Sequence, residues 1–158
     1  MNEKRGGMFY TGVGSRKTPP DVLILMTKVA TKLANDGYVL RSGGAIGADK
    51  AFEAGCGGKC QIFYANDATT ESMAIAAKVH PAWHRCSEYA KKLHGRNVFQ
   101  VLGKDLKTPS TFLLCWTPGA KLVGGTATAM RLAELNNVPI YNLADPFARR
   151  RVENYVNV

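Results

Sequence analysis

Three short stretches combine glycine with hydroxyl and basic side chains in the pattern that phosphate binding requires. They are Gly12-Val13-Gly14-Ser15-Arg16, Ser42 to Asp49 (SGGAIGAD), and Gly119 to Thr128. Each follows an apolar run and precedes a helical pattern. Glycine lets a backbone approach a ligand closely and turn through angles that a Cβ penalises. A helix opening directly after the turn adds free N–H groups and the positive end of its dipole. The N–H groups of Gly14, Ser15, Gly44, Gly125 and Thr126 are the candidate phosphate donors, assisted by the hydroxyls of Ser15, Ser42, Thr126 and Thr128. Arg16 and Arg41 supply guanidinium forks that fit phosphate oxygens, while Gly12, Gly43 and Gly124 shape the turns. One such loop is weak evidence, because tight strand-to-helix turns need glycine for structure alone. Three in one small chain point to a ligand. None carries the lysine pattern of phosphate-hydrolysing P-loops, and the first lacks the full three-glycine dinucleotide fingerprint.

Other groups invite narrower chemistry. Asp49 and Glu53 stand four apart on one helical face, a spacing that suits acid–base work at a glycosidic bond or a hydrogen bond to a ribose. No second positioned group accompanies them, so Asp49 reads first as a ligand contact or a brace for the glycine turn. His80-x3-His84 with Cys86, and Cys56-x3-Cys60, have partial zinc-ligand spacing. Without a second tight cysteine pair no metal site is assigned, and no cofactor is called for. Trp83, Tyr89 and Trp116 are candidates to stack a base. Trp116 is the better placed, at a strand end beside a glycine loop, whereas Trp83 reads as helix packing.

The elements that must position these groups alternate regularly. Met8–Thr11, Tyr38–Arg41, Cys60–Tyr64, Thr111–Trp116 and Val138–Asn142 are short apolar, strand-like runs. Between the first two, Val22, Leu25, Met26, Val29 and Leu33 recur at helical spacing. Pro19-Pro20 opens that helix and Gly37 closes it. Ala48, Ala51, Phe52 and Gly55 mark the inward face of a second helix, and Ala129, Leu132 and Ala133 that of a late one. This order predicts an α/β chain, a single doubly wound Rossmann-like domain over 1–158 with a mainly parallel sheet. In such a sheet ligands bind beyond the carboxyl ends of the strands, where all three glycine loops fall. From Asn66 to Gly103 the pattern is less regular. Thr70 to Lys78 reads as one helix and Pro81 to Leu93 as another, with His94-Gly95-Arg96-Asn97 interrupting before a helical Val98 to Leu102. From about Asp145 the tail is basic, a short helix or an arm.

With 158 residues, 46% hydrophobic and 21% charged, the chain can bury a core without disulfides or metals. Its four cysteines read as reduced. MNEKRGG shows no signal-peptide core, and no apolar run approaches the roughly 20 residues that span a bilayer, so a cytoplasmic protein without membrane contact is expected. The net charge of +9 favours a polyanionic partner, although Lys4-Arg5 and Arg149-Arg150-Arg151 also fit solvated ends.

The segments GVGSR, SGGAIGAD and GGTATAMRLA, in this order and spacing, resemble the DprA/Smf and LOG-like Rossmann superfamily, often called SLOG. The likeness runs from about Met8 to Leu143, and Arg96-Asn97 resembles a motif of the DprA branch. The resemblance implies a doubly wound fold that holds nucleotides, nucleotide-derived ligands or single-stranded DNA at the three loops. It also implies a homo-oligomer, and a bacterial or phage-infected cell as the setting. LOG-like members that cleave cytokinin nucleotides carry a glutamate pair where this chain has Thr128 and Ala129, so their phosphoribohydrolase activity is not carried over. The leading expectation is therefore a non-catalytic binder of a phosphate-bearing, nucleotide-derived small molecule, for sensing or sequestration, including phage counter-defence. The alternatives are a DprA-like single-stranded DNA binder and an N-glycosidic enzyme using Asp49 or Glu53.

Overall fold

The computed structural model describes residues 8–158, so Lys4 and Arg5 lie outside the described residues. Five strands form one parallel sheet in the order β3-β2-β1-β4-β5. They are β1 (Phe9–Gly12), β2 (Val39–Ser42), β3 (Cys60–Ile62), β4 (Leu113–Cys115) and β5 (Ile140–Asn142). Tyr10 pairs with Leu40, Thr11 with Leu113, and Leu114 with Tyr141. β4 is buried on both faces, as its unbroken apolar run requires.

Helices cover both faces. α1 (Pro20–Asn35), α2 (Ala48–Gly55) and the terminal α6 (Pro146–Val156) share one side, with Val22, Met26, Val29, Phe52 and Val152 in a common core. α3 (Thr70–Val79), α4 (Glu88–Leu102) and α5 (Thr126–Leu135) take the other, around Ala76, Val98, Val101, Met130 and Leu132. The chain changes side between β3 and β4, so the order of strands reverses beside β1. That is the crevice where doubly wound sheets hold ligands.

Local chemistry sets the ends of the elements. α1 starts on Pro19-Pro20 with Asp21 in its first turn. It closes with Gly37 at φ 95°, where Gly37 N–H donates to Ala34 O and Tyr38 N–H to Leu33 O, the pattern of a Schellman cap. α5 closes in the same way, with Asn137 in the left-handed position and Val138 N–H on Ala133 O. The basic tail is a helix, not a free arm: Asp145 caps α6 by accepting from Ala148 N–H, and Arg149 reaches Asp21 at 3.0 Å and Glu153 at 3.1 Å. No helix among the described residues is long and apolar enough to cross a membrane.

The irregular middle departs from the sequence expectation. Pro81 does not open a helix; a short 3-10 turn at Trp83–Arg85 follows it, and Ser87 caps α4 by accepting from Ala90 N–H. α4 then runs without a break through His94-Gly95-Arg96-Asn97. The glycine there serves packing rather than interruption. A methyl group at Gly95 would lie 2.6 Å from Met73 Cγ and 3.1 Å from Ala68 Cβ.

Ala is about 1 kcal/mol better than Gly inside a helix, but overpacking costs about 1–3 kcal/mol. Gly95→Ala is therefore expected to lower the free energy of unfolding by about 1–2 kcal/mol. Urea denaturation measures it. A stabilised variant would show that α3 and α4 do not meet at this glycine.

Candidate functional site

The loops following β1 and β2 and the start of α5 converge at the carboxyl edge of the sheet. Val13 and Ser15 N–H donate to Leu114 and Trp116 carbonyls at 3.1 Å, which ties the first loop to the end of β4. A methyl on Gly47 would touch Arg16 Cα at 2.9 Å, so the first and second loops also pack directly.

The glycines divide by role. A Cβ on Gly12 would meet Leu40 and Phe52 at 2.8 Å, and one on Gly14 would meet Ala48 Cβ at 2.7 Å. At Gly43 the same position lies 2.5 Å from Arg96 Nη1 and Gln100 Nε2. These three leave room for the protein itself. Gly124, at φ 68°, and Gly125 face open space, and Gly44, at φ 71°, lies beside the Tyr64 ring. Gly124 and Gly125 keep the edge open to a ligand, with Thr126 half-exposed beside them, whereas a Cβ on Gly44 would meet Ile62 and Tyr64 at 3.2 Å.

Several expected contacts are spent internally. Ser15 N–H is taken by Trp116 O, and its Oγ accepts from Lys17 N–H at 2.9 Å. Ser42 Oγ is buried and donates to Gly12 O at 2.6 Å. Thr128 Oγ1 is bonded to His94 Nδ1 at 2.8 Å. Arg41 is 2% exposed; its Nη1 donates to Thr108 O at 2.7 Å and Ser110 Oγ at 3.1 Å. Its guanidinium lies over the Phe9 ring, and burial pulls its pKa down to about 10. As a residue inside β2, Arg41 ties the sheet to the segment after α4 and does not point at the edge. Trp116 is half-buried and packs against the core shared by α1, α2 and α6.

Asp49 and Arg96 hold the second loop from beneath. Asp49 is buried and accepts the Ala45 N–H at 3.3 Å. Desolvation pushes its pKa up to about 6, against the opposing pull of that bond and of Arg96. Glu53 does not join it at a common acceptor and pairs with exposed Lys50 at 3.4 Å. Arg96 Nη1 donates to Gly43 O at 2.9 Å and Phe63 O at 3.0 Å, while its Nε donates to Asn97 Oδ1. Asn97 Nδ2 passes the connection to Gly125 O at 3.0 Å. The Arg-Asn pair thus binds the second loop to the start of α5.

Outward, the edge is basic and partly apolar. Arg16, Lys17 and Lys121 are exposed, as are Tyr64, Ile46, Leu122 and Val123. Motif spacing does not single out Lys17, Lys121 or Tyr64. Lys17 directly follows Arg16, and Tyr64 stands just past β3 as Trp116 does past β4, so position relative to strand ends is the signal that the sequence holds for them. Tyr89, on the first turn of α4, is exposed as well. His80, Cys86 and His94 come together beneath Trp83, whereas His84 is exposed and Cys56 and Cys60 lie in the opposite layer. Burial, with the charge of Arg96, draws the His94 pKa down to about 4, so the ring is neutral at pH 7.

The Asp49 carboxyl has a pH signature with a definite sign. Its folded-state pKa lies above that of the unfolded chain, so the unfolded state loses its proton first as pH rises. Stability falls between about pH 4 and pH 6 by up to about 3 kcal/mol and is level above that. The difference in unfolding free energy between wild type and Asp49→Asn, followed across this range, isolates the effect. A difference that rises with pH, or stays flat, contradicts the burial assigned to this carboxyl.

No protein-family model matches the sequence, and no curated protein matches it. A solved structure of DNA processing protein A from Helicobacter pylori, described for its single-stranded DNA binding mode, is similar to this chain with a TM-score of 0.61. The two are 15% identical over 96% of this chain and 79% of that one. At that identity the likeness is one of fold, and the fold is a single Rossmann-like α/β domain of the kind found in DNA processing protein A.

Proposed function

We propose that the carboxyl edge of the sheet binds single-stranded DNA. The observation that carries this reading is the make-up of the edge: exposed Arg16, Lys17 and Lys121 interleaved with exposed Tyr64, Ile46, Leu122 and Val123 around open glycine turns. Cations track a phosphate backbone, and an aromatic face stacks bases without regard to sequence. Tyr64 takes the stacking role that the sequence suggested for Trp116.

This order of preference reverses the one drawn from sequence. A small nucleotide-derived ligand favours a concave pocket that buries most of its surface. Two cavities, of about 330 and 370 Å³, lie away from this edge, one lined by Leu33, Tyr38, Phe112 and Tyr155 and the other between α1 and α6. The fold likeness to a protein described for single-stranded DNA binding supports the same choice.

Fluorescence polarisation with a labelled oligothymidylate tests the proposal. Affinity should fall with salt, and loss of each of Arg16, Lys17 or Lys121 to Ala should reduce the slope of log K against log salt by about 0.7. Tyr64→Ala should weaken binding by roughly 5- to 100-fold with the slope unchanged. No binding at low salt would sink the reading, and a mononucleotide that binds more tightly than the oligomer would replace it with the small-molecule alternative.

A further inference from the structure

We propose that His80, Cys86 and His94 form a site for a borderline-soft divalent cation of the zinc class, with two imidazoles and one thiolate as ligands and the fourth position open to solvent. Its three ligands lie outside the proposed DNA-binding edge, which the site meets only at Thr128, and the assignment does not depend on that reading.

The three side chains come from separate places. His80 ends α3, Cys86 follows the 3-10 turn at Trp83–Arg85, and His94 lies in the middle of α4. Their ligand atoms nevertheless lie within 4.8 Å of one another. Cys86 Sγ is 3.7 Å from His80 Nε2, and the His80 and His94 rings meet edge to face with centroids 4.5 Å apart. Tetrahedral coordination with bonds of about 2.0–2.3 Å sets neighbouring ligand atoms roughly 3.3–3.8 Å apart. A contraction of about 1 Å would close the set around an ion. All three residues are half-buried, so solvent can supply a fourth ligand.

The surroundings of His94 match those of a metal-binding histidine. Thr128 Oγ1 sits 2.8 Å from Nδ1, which fixes the ring and leaves Nε2 free for an ion. A hydrogen bond of this kind to the other ring nitrogen is the usual support for a histidine ligand. It also explains why Thr128 turns away from the glycine loop beside it.

The proton balance is definite. In the free chain His80 Nδ1 accepts the Ala82 N–H at 3.0 Å, so the neutral ring carries its proton on Nε2, towards Cys86. Binding an ion removes that proton from Nε2, places one on Nδ1, and releases the Cys86 thiol proton to solvent. One proton leaves in all. The Ala82 N–H loses its acceptor, so the segment from Pro81 to Ser87 must rearrange as the ion binds. Trp83 lies in that segment, with its ring 6.1 Å from His80 and 6.3 Å from His94.

The purified full chain, stripped with a chelator and titrated with Co²⁺ and then Zn²⁺, provides the test. A near-ultraviolet thiolate-to-cobalt charge-transfer band with intense visible bands of tetrahedral cobalt should saturate at one ion per chain and be displaced by Zn²⁺. Cys86→Ser should abolish the charge-transfer band, and Cys60→Ser and His84→Ala should leave it intact. Thr128→Val should weaken binding by roughly tenfold or more. His94→Gln keeps the test decisive should Cys86→Ser fail to fold, with circular dichroism monitoring both. Absence of the band in the wild type, or its survival in Cys86→Ser or in folded His94→Gln, overturns the assignment.

Discussion

The carboxyl edge depends on one half-buried cation. The Arg96 guanidinium fills the space that Gly43 leaves by having no side chain, and it donates to carbonyls of Gly43 and Phe63 at once. Hydrogen bonds to a charged group contribute about 1.5–3 kcal/mol each. Burial lowers the Arg96 pKa, and the nearby Asp49 charge acts against that shift. Through Asn97 the same helix turn reaches Gly125 O. The ends of β2 and β3 and the start of α5 therefore share a brace on α4. The brace needs α4 to pass unbroken across α3, which is the condition that Gly95 meets.

That arrangement separates two tasks that glycine performs in such loops. Gly12, Gly14 and Gly43 make room for Phe52, Ala48 and Arg96, and they set the shape of the edge without touching its outer surface. Gly124 and Gly125 keep the outside open. In sequence both sets look alike, because a glycine carries no mark of which atoms fill the place of its Cβ. The alternation of strand and helix was legible, since it rests on local periodicity and on caps such as Gly37 and Asn137 that act within a few residues. The identity of the groups facing a ligand was not, because it depends on contacts across long sequence separations.

Arg41 and Thr128 illustrate the limit in opposite ways. Arg41 lies inside β2, where side chains stand perpendicular to the strand, so its turn away from the strand end follows from its position once the strand is fixed. Ser110 and Thr108, its partners, are nearly seventy residues away. Thr128 is on the first turn of α5, beside the open glycines, and nothing local directs it to His94 on another helix. The His80–Cys86–His94 cluster was hidden for the same reason. The more conspicuous spacing, His80-x3-His84, implies a continuous helix, and that helix ends at Val79.

The buried Asp49 bears on what kind of anion the edge can hold. Its carboxylate takes the N–H group of Ala45, and Trp116 O takes that of Ser15. The Ala45 and Ser15 donors are thus engaged within the fold. An incoming anion also meets the negative charge of Asp49 beneath the loop, offset locally by Arg96. What remains outward is the longer-range charge of Arg16, Lys17 and Lys121 and the face of Tyr64. Dispersed cations act weakly on a single phosphate, but their effects add along a polymer through release of its counterions. On the proposed reading, the brace that makes the edge rigid also leaves it better suited to a strand than to a single nucleotide.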